Sequence, residues 1–220
     1  MTDIGLFVIP IRFDNSISTY NSYLDFLCEA ENHGYSHYYI GEHLTDERED
    51  IQSSLIFSAA LLARTKKATI CLSVLPLPHY DIPLLVKQLE DLYKLGNGRI
   101  RIGFSPGALK SDADYLNFDH YKRVDLFKLK LKLFEDKINT SEILRKIPKS
   151  DFFSTLLSAY PISSSLLIEK GYSAISSNFT HNSYLKNHFS CMLKNNSIAN
   201  CSSKWHIAMN LVNKKSISEK

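Results

Sequence analysis

The chain has 220 residues, of which 44% are apolar, 22% charged and 11% aromatic. This length suits a single domain, residues 1–220, and the apolar content excludes a disordered or collagen-like chain. No run of about 18 apolar residues occurs and no basic segment precedes an apolar stretch at the start, so we expect neither a membrane span nor a secretory signal.

Charge is divided unevenly along the sequence. Residues 1–138 carry 16 Lys and Arg against 19 Asp and Glu, a net charge of −3, whereas residues 139–220 carry 10 against 4, a net charge of +6. Only one of those ten basic residues is Arg, and the lysines are scattered. We therefore interpret the basic part as solvated surface and expect no nucleic-acid partner.

Signals for disulfides and metal ions are weak. The four cysteines lie far apart without a CxxC pair, which fits a reducing cytoplasm better than a zinc site or a disulfide framework. His33 and His37 have the HxxxH spacing of a metal pair, but Gly34 interrupts the helix that would bring them to one face. We therefore expect no metal site.

Apolar runs that end at Pro or Gly alternate with segments of helical periodicity in the first part of the chain. The runs predict strands at residues 4–10, 35–40, 68–75 and 99–104. The periodic segments predict helices at residues 20–32, 53–64, 83–95 and 121–138. The buried face is expected to carry Leu85, Leu89 and Leu92 in the third helix, and Leu126, Leu129, Leu133 and Phe134 in the fourth.

The alternation continues more weakly towards the end of the chain. It predicts strands at residues 153–159, 172–176 and 205–212, with helices at 163–170 and 182–194. Strands that alternate with helices form a parallel sheet with the helices outside it. Seven such units in a row favour a TIM-type (β/α) barrel shortened to about seven units, with residues 213–220 as a polar tail.

Ligands of such barrels bind at the carboxyl ends of the strands, which draws attention to two segments. Glu42 and His43 follow the second predicted strand and form a candidate acid/base pair, although a single His at a strand end is more often structural. Residues 103–107 follow the fourth strand and do not form the GxGxxG fingerprint. They are either a plain tight turn or a backbone that approaches a flat ligand closely.

Several segments together resemble the bacterial luciferase-like flavin monooxygenases. Residues 34–45 are similar to the second-strand signature of that family and read GYSHYYIGEHLT. Residues 77–83 are similar to its LP-x-x-[HD]-P turn and read LPHYDIP. Residues 103–112 resemble a stretch of the limonene monooxygenase-like branch and read GFSPGALKSD. Order and spacing agree over residues 4–137, and weaker similarity continues beyond them.

The resemblance implies an FMN-dependent monooxygenase that uses O2 and reduced FMN, supplied by a separate flavin reductase, to oxidise a small aldehyde, ketone or alkene. His43 matches the catalytic histidine of the family, and Glu42 is the adjacent carboxylate. The implied flavin-ring contacts come from the ends of the third and fourth strands, at Val74, Leu75, Gly103, Ser105, Pro106 and Gly107. A non-proline cis peptide is expected close to Val74 and Leu75. The implied phosphate contacts are Tyr160, Ser163 and Ser164.

Departures from the family pattern leave other functions open. Pro106 stands where the luciferase α-chain has a phosphate-binding arginine, and Tyr160 stands where a serine is usual. Residues 139–153 replace a longer insertion. The first alternative is a flavin-binding or catalytically inactive member similar to non-fluorescent flavoprotein, and the second is a deazaflavin-dependent enzyme. The resemblance also implies a homodimer that pairs through the helices at residues 53–64 and 83–95.

Overall fold

A computed structural model describes residues 5–9, 19–155, 170–177, 190 and 205–208. The strands are β1 (Gly5–Val8), β2 (His37–Ile40), β3 (Thr69–Pro76), β4 (Ile100–Ser105), β5 (Phe152–Thr155), β6 (Ser173–Ser177) and β7 (Trp205–Ala208). The helices are α1 (Thr19–Asn32), α2 (Ser54–Arg64), α3 (Ile82–Leu95), α4 (Lys110–Tyr115) and α5 (Arg123–Thr140). The predicted helices at 163–170 and 182–194, and the predicted strand residues 156–159, lie outside the described residues.

The seven strands form one parallel sheet in the order β1-β2-β3-β4-β5-β6-β7. Each strand pairs in parallel with the next one along the chain, as in a (β/α) barrel. The register aligns Phe7, Tyr39, Cys71 and Arg101 across β1 to β4, and this row faces the inside of the barrel. The predicted α/β architecture, a TIM-type barrel of about seven units, is confirmed.

Polar caps fix where two helices that flank the site begin. The Ser53 side chain accepts a hydrogen bond from the Ile56 amide at the start of α2, and the Asp81 side chain accepts one from the Leu84 amide at the start of α3. Such caps satisfy amides that have no partner within the helix. The predicted inward residues of α3, Leu85, Leu89 and Leu92, are all buried.

The predicted buried face of α5 is largely wrong. Leu129 and Leu133 are 66% and 39% exposed, and Leu126 is only half-buried. The face that packs on the sheet carries Phe127, Leu131, Phe134 and Ile138. These four follow the spacing of a helical stripe, whereas the alternation of Lys and Leu between residues 128 and 133 hides that stripe in the sequence.

The core has two parts, one on each side of the sheet. Between sheet and helices, Phe104, Phe134, Phe152 and Tyr172 form an aromatic cluster, with the Phe104 and Phe134 ring centroids 4.9 Å apart. Inside the barrel, Cys71 and Ile175 are buried against Phe7, Tyr39 and Val74. Burial raises the pKa of the Cys71 thiol to about 12, so it stays neutral. None of the described helices combines the length and hydropathy that crossing a bilayer requires.

The segment at 139–153 is a packed connection. Two 3₁₀ turns, Leu144–Lys146 and Lys149–Asp151, carry the chain from α5 to β5. Leu144 is completely buried and Ile147 nearly so, because both side chains enter the layer between sheet and helices.

Candidate functional site

A cavity of about 330 Å³ lies at the carboxyl ends of β1 to β4, the end at which barrels of this type bind ligands. Most of its wall is apolar. The residues that form the wall are Phe7, Ile9, Gly41, Glu42, His43, Ser73, Val74, Pro76, His79, Phe104, Ser105, Pro106, Gly107, Ala108 and Asp112. The wall therefore joins Glu42-His43 to residues 104–107 of the second segment that the sequence singled out.

His43 lies just beyond β2, and its imidazole is one-third exposed. Its Nδ1–H donates a hydrogen bond of 2.8 Å to Oε1 of Glu49, which leaves Nε2 as the ring nitrogen available to a ligand. That bond raises the pKa of His43, and the charges of Asp112 and Asp46 act in the same direction against the opposing effect of burial. The His43 ring is therefore protonated more readily than the ring of a free histidine.

Glu42 is buried, and both of its carboxylate oxygens accept hydrogen bonds. The amide and the hydroxyl of Ser54 each donate to Oε2 at 2.7 Å, and the Tyr80 hydroxyl donates to Oε1. Burial raises the pKa of Glu42, and the bonds from Tyr80 and Ser54 oppose that shift. Glu42 thus ties the end of β2 to the first residue of α2 and to the turn after β3.

The turn after β3 is itself held from outside the cavity. Lys130, on α5, donates hydrogen bonds from Nζ to the carbonyl oxygens of Pro78 and Tyr80, at 2.9 and 2.6 Å. Since Tyr80 bonds to Glu42, the contact fixes the turn Leu77–His79 relative to β2. The position of His79 in the wall follows from these two attachments.

Asp112, at the start of α4, closes another side of the cavity. It is 1% exposed, and its Oδ1 accepts hydrogen bonds from the Thr45 amide at 3.0 Å and the Thr45 hydroxyl at 2.6 Å. These bonds fix the loop that follows His43. The carboxylate also adds negative charge near the imidazole.

Two residues of the wall, Ser73 and His79, each hold a buried polar atom without a hydrogen-bond partner among the described residues, the hydroxyl of Ser73 and Nδ1 of His79. Burial lowers the pKa of His79 to about 4, so the ring is neutral near pH 7. Its ring packs against Phe118 with the centroids 5.9 Å apart. Gly107 has φ +82°, and a Cβ there would lie 3.1 Å from Nε2 of His79.

The structure brings some of the predicted flavin contacts together and places others elsewhere. Val74, Ser105, Pro106 and Gly107 line the cavity. The peptide bond between Ser73 and Val74 is cis, in the region where the resemblance implied one.

Leu75 and Gly103 are not in the cavity wall. Leu75 is fully buried in the layer between sheet and helices, because a register shift between Leu72 and Leu75 sets it opposite Phe104. Gly103 is buried within β4, opposite Phe153, and has no side chain to reach the cavity. The predicted phosphate contacts Tyr160, Ser163 and Ser164 lie outside the described residues.

Sequence reasoning missed Glu49, His79 and the contact of Asp112 with Thr45. His79 and Asp112 both lie inside motifs that carried the family resemblance, which was the available signal.

His43, Asp46 and Glu49 place possible metal-ligand atoms within 4.8 Å of one another. In the structure His43 pairs with Glu49, and Asp46 pairs with Arg48, so these contacts account for the cluster. His33 pairs with Glu29, and His37 contacts Ser36.

The fold and the cavity together define a (β/α) barrel with an apolar site at its carboxyl end. A model of the family described as luciferase-like monooxygenase matches residues 5–142. This is more than half of the chain, and the protein therefore belongs to the luciferase-like monooxygenase family. Limonene 1,2-monooxygenase of Rhodococcus erythropolis is 29% identical over 119 residues, which confirms the predicted branch. That match spans 53% of this chain and 31% of the relative.

Solved structures with low sequence identity show the same fold. The oxygenating constituent of 3,6-diketocamphane monooxygenase from the CAM plasmid of Pseudomonas putida, in complex with FMN, has a TM-score of 0.80 at 17% identity, covering 94% of this chain and 67% of that one. Monooxygenase RslO1 from Streptomyces bottropensis has a TM-score of 0.79 at 16% identity, covering 94% and 70%. An F420-dependent secondary alcohol dehydrogenase in complex with an F420–acetone adduct has a TM-score of 0.73 at 17% identity, covering 94% and 68%.

Proposed function

We propose that this protein is an FMN-dependent monooxygenase that uses reduced flavin and O2 to oxidise a small uncharged organic molecule, such as an aldehyde, ketone or alkene. The observation that carries the proposal is the presence of His43 in the wall of a mostly apolar cavity of about 330 Å³ at the strand ends. Membership of the luciferase-like monooxygenase family supports the reaction class.

The residues in the wall fit a flat ring system that is apolar on its faces and polar at its edge. Val74, Phe104 and Pro106 supply apolar surface. The Ser73 hydroxyl and Nδ1 of His79 are buried without partners among the described residues, so a ligand edge with its own donors and acceptors would satisfy them. A flavin ring has both properties.

The chain's own residues have separate roles in this proposal. His43 holds or donates a proton at Nε2, and the apolar wall excludes water from the reacting centre. The bonds of Glu42 to Ser54 and Tyr80 keep the strand end that carries His43 in place. When bound, the reduced flavin supplies the activation of O2.

FMN is the flavin that we propose, delivered in reduced form by a separate flavin reductase. One structural neighbour is in complex with FMN and another with an F420–acetone adduct. The Glu42-His43 pair favours FMN, because the deazaflavin-dependent group prefers Asp-His at that point. We propose that Tyr160, Ser163 and Ser164 contact the phosphate, as the resemblance implies.

Flavin binding is tested by titrating the full chain with oxidised FMN, with FMN reduced under anaerobic conditions, and with F420. Ala108 is exposed at the cavity, so Ala108→Trp would fill the entrance without disturbing the core. We expect this change to weaken FMN binding at least about tenfold, which is about 1.4 kcal/mol. Leu129→Trp, at an exposed position on α5, is the matched control and should bind normally. Equal affinities in the two variants would contradict the proposed site.

Turnover is tested with a flavin reductase, NADH and a panel of aldehydes, ketones and alkenes. His43→Gln should lower turnover by about 10²- to 10⁴-fold, the usual contribution of a positioned acid or base. FMN affinity and the free energy of unfolding should stay close to those of the unsubstituted protein. Flavin binding without turnover in the unsubstituted protein would instead favour the flavin-binding, non-catalytic alternative.

We also propose a homodimer that pairs through α2 and α3. Ile56 on α2 and Leu84 on α3 are 68% and 58% exposed, unusually apolar positions for solvated helices. Ile56→Asp combined with Leu84→Asp should turn a dimer into a monomer in sedimentation velocity, whereas Leu129→Asp on α5 should not.

We also propose a cytoplasmic location, which the free thiols of Cys28 and Cys71 support.

A further inference from the structure

We propose, on the basis of the function proposed above, that Glu49 is the positioning residue for His43. Its carboxylate holds the imidazole through Nδ1, so that Nε2 is the ring nitrogen left to face the cavity. Glu49 is not itself part of the cavity wall, and it acts only through His43.

The contact has the geometry that such a role needs. Nδ1 of His43 and Oε1 of Glu49 are 2.8 Å apart, and the Glu49 side chain is only 9% exposed. A carboxylate shielded from water interacts with an imidazolium more strongly than a solvated one does. Because a carboxylate only accepts hydrogen bonds, Nδ1 must carry a proton whenever the contact is made. The second ring nitrogen, Nε2, is then the one left for a ligand.

The loop between β2 and α2 is built to present Glu49 in this way. The Asp46 carboxylate accepts hydrogen bonds from the Arg48 amide at 3.0 Å and from the Arg48 guanidinium at 2.9 and 2.6 Å. The Glu49 amide donates to the Asp46 carbonyl oxygen at 3.0 Å, which closes a turn that returns the chain towards His43. Before this turn, Thr45 is fixed by Asp112. The loop is therefore anchored on both sides of the Asp46–Arg48 pair.

Other charged groups surround His43, but none replaces Glu49. The groups that interact with the imidazole electrostatically are Glu42 after β2, Asp46 in the loop, His79 after β3 and Asp112 on α4. Asp46 is paired with Arg48. The carboxylates of Glu42 and Asp112 are already bonded to Tyr80, Ser54 and Thr45. Among the hydrogen bonds that the structure gives His43, the one to Glu49 is the bond that can orient the ring.

The test measures the pKa of His43 by NMR titration of histidine ring resonances in the full chain, with His43→Gln used for assignment. Glu49→Gln keeps the shape of the side chain and removes its charge. We expect the pKa of His43 to fall by about one unit or more, the effect of losing an opposite charge at this distance. Glu49→Asp keeps the charge, so it should restore most of the pKa.

Glu47→Gln is the matched control, because Glu47 is an exposed carboxylate two residues away in the same loop. It should leave the pKa of His43 within about 0.2 unit of its original value, since screening weakens the effect of an exposed charge. An unchanged pKa in Glu49→Gln, or an equal fall in Glu47→Gln, would overturn the proposal. In the active enzyme, the high-pH limb of the turnover profile should move with the NMR value, because His43 acts in its protonated form. Flavin binding is measured separately, by flavin titration. Failure of the protein to bind flavin would refute the proposed function without bearing on the Glu49–His43 contact.

Discussion

The two faces of the parallel sheet differ in composition and in packing. The face that meets the helices is aliphatic or aromatic and almost completely buried, as shown by Tyr38, Ile40, Ile70, Leu72 and Ile102. The face towards the barrel interior and the cavity carries mixed side chains, including Tyr39, Cys71, Ser73, Arg101 and Ser105. The first face supplies most of the hydrophobic stabilisation, whereas the second keeps polar groups available at some expense in stability.

The cavity side of the sheet carries both unpartnered and paired polar groups. On the cavity side, Ser73 and His79 each hold a buried atom without a partner among the described residues. Arg101, deeper in the barrel, pairs with Asp151 at 3.0 Å. Substitutions on the helix side should therefore change the free energy of unfolding, and those on the cavity side should change ligand binding or its pH dependence.

Phe134→Ala should give the largest effect on stability. The ring is completely buried between α5 and the sheet and lies 4.9 Å from the ring of Phe104. Removing it leaves a cavity that the aromatic cluster cannot close, and the expected loss is about 3–5 kcal/mol in urea unfolding. Leu129→Ala, on the exposed side of the same helix, should cost under about 0.5 kcal/mol. Similar losses in both variants would mean that α5 packs through another face.

Gly107→Ala should give the next largest effect on stability, and this residue lies on the cavity side of the sheet. Its φ of +82° is costly for a residue with a side chain, and the added Cβ would lie 3.1 Å from Nε2 of His79. We expect a loss of about 1–3 kcal/mol in unfolding free energy, together with weaker FMN binding. Gly41→Ala is the matched control in the same wall, because its added Cβ would make only ordinary contacts, the nearest at 3.6 Å. Equal losses in the two variants would contradict this conformational explanation.

The cavity side should also make stability sensitive to acid, through His79. Burial lowers its pKa from 6.5 to about 4, so the unfolded chain binds the proton first as the pH falls. The stability present above pH 6.5 is therefore lost as the pH falls towards 4, by about 1 kcal/mol between pH 7 and pH 5. His79→Gln should lose less stability than the unsubstituted protein over that interval in urea unfolding. Identical pH dependence in both would show that the ring protonates equally well in the folded state.

The order of the first elements was predictable because each of the first four strands is an apolar run closed by Pro or Gly. Pro10, Pro76 and Gly41 mark such ends in the sequence. The buried face of α5 was not predictable in the same way. Leu129, Leu131 and Leu133 alternate with lysines, so the sequence fits several helical registers. Only tertiary packing, such as that of Phe134 on Phe104, selects the register that buries Leu131 and Phe134. Helix α4 was missed because its six residues are mostly polar.

The predicted site residues that line the cavity lie near the carboxyl end of a strand or just beyond it. His43 and residues 105–107 are of this kind, and all line the cavity. Leu75 was misplaced because a register shift in β3 turns its side chain towards the helices, which periodicity in the sequence does not reveal. Glu49 reaches His43 only through the turn that Asp46 and Arg48 form. Such contacts depend on loop geometry, and residue spacing alone does not determine that geometry.

Ser73→Ala gives the smallest expected effect on stability. Compared with Leu72→Ala, it tests the two faces of the sheet at adjacent positions. The Ser73 hydroxyl is buried without a partner among the described residues, so removing it should leave the free energy of unfolding within about 0.5 kcal/mol or raise it slightly. The same change should weaken FMN binding about fivefold, because a ligand loses one hydrogen bond worth about 1 kcal/mol. Leu72→Ala, one residue earlier on the helix side, should cost about 2–5 kcal/mol and leave FMN affinity close to its original value. If Ser73→Ala instead destabilised the fold while FMN affinity stayed constant, the hydroxyl would be part of the structural core, and the division between the two faces would fail at this position.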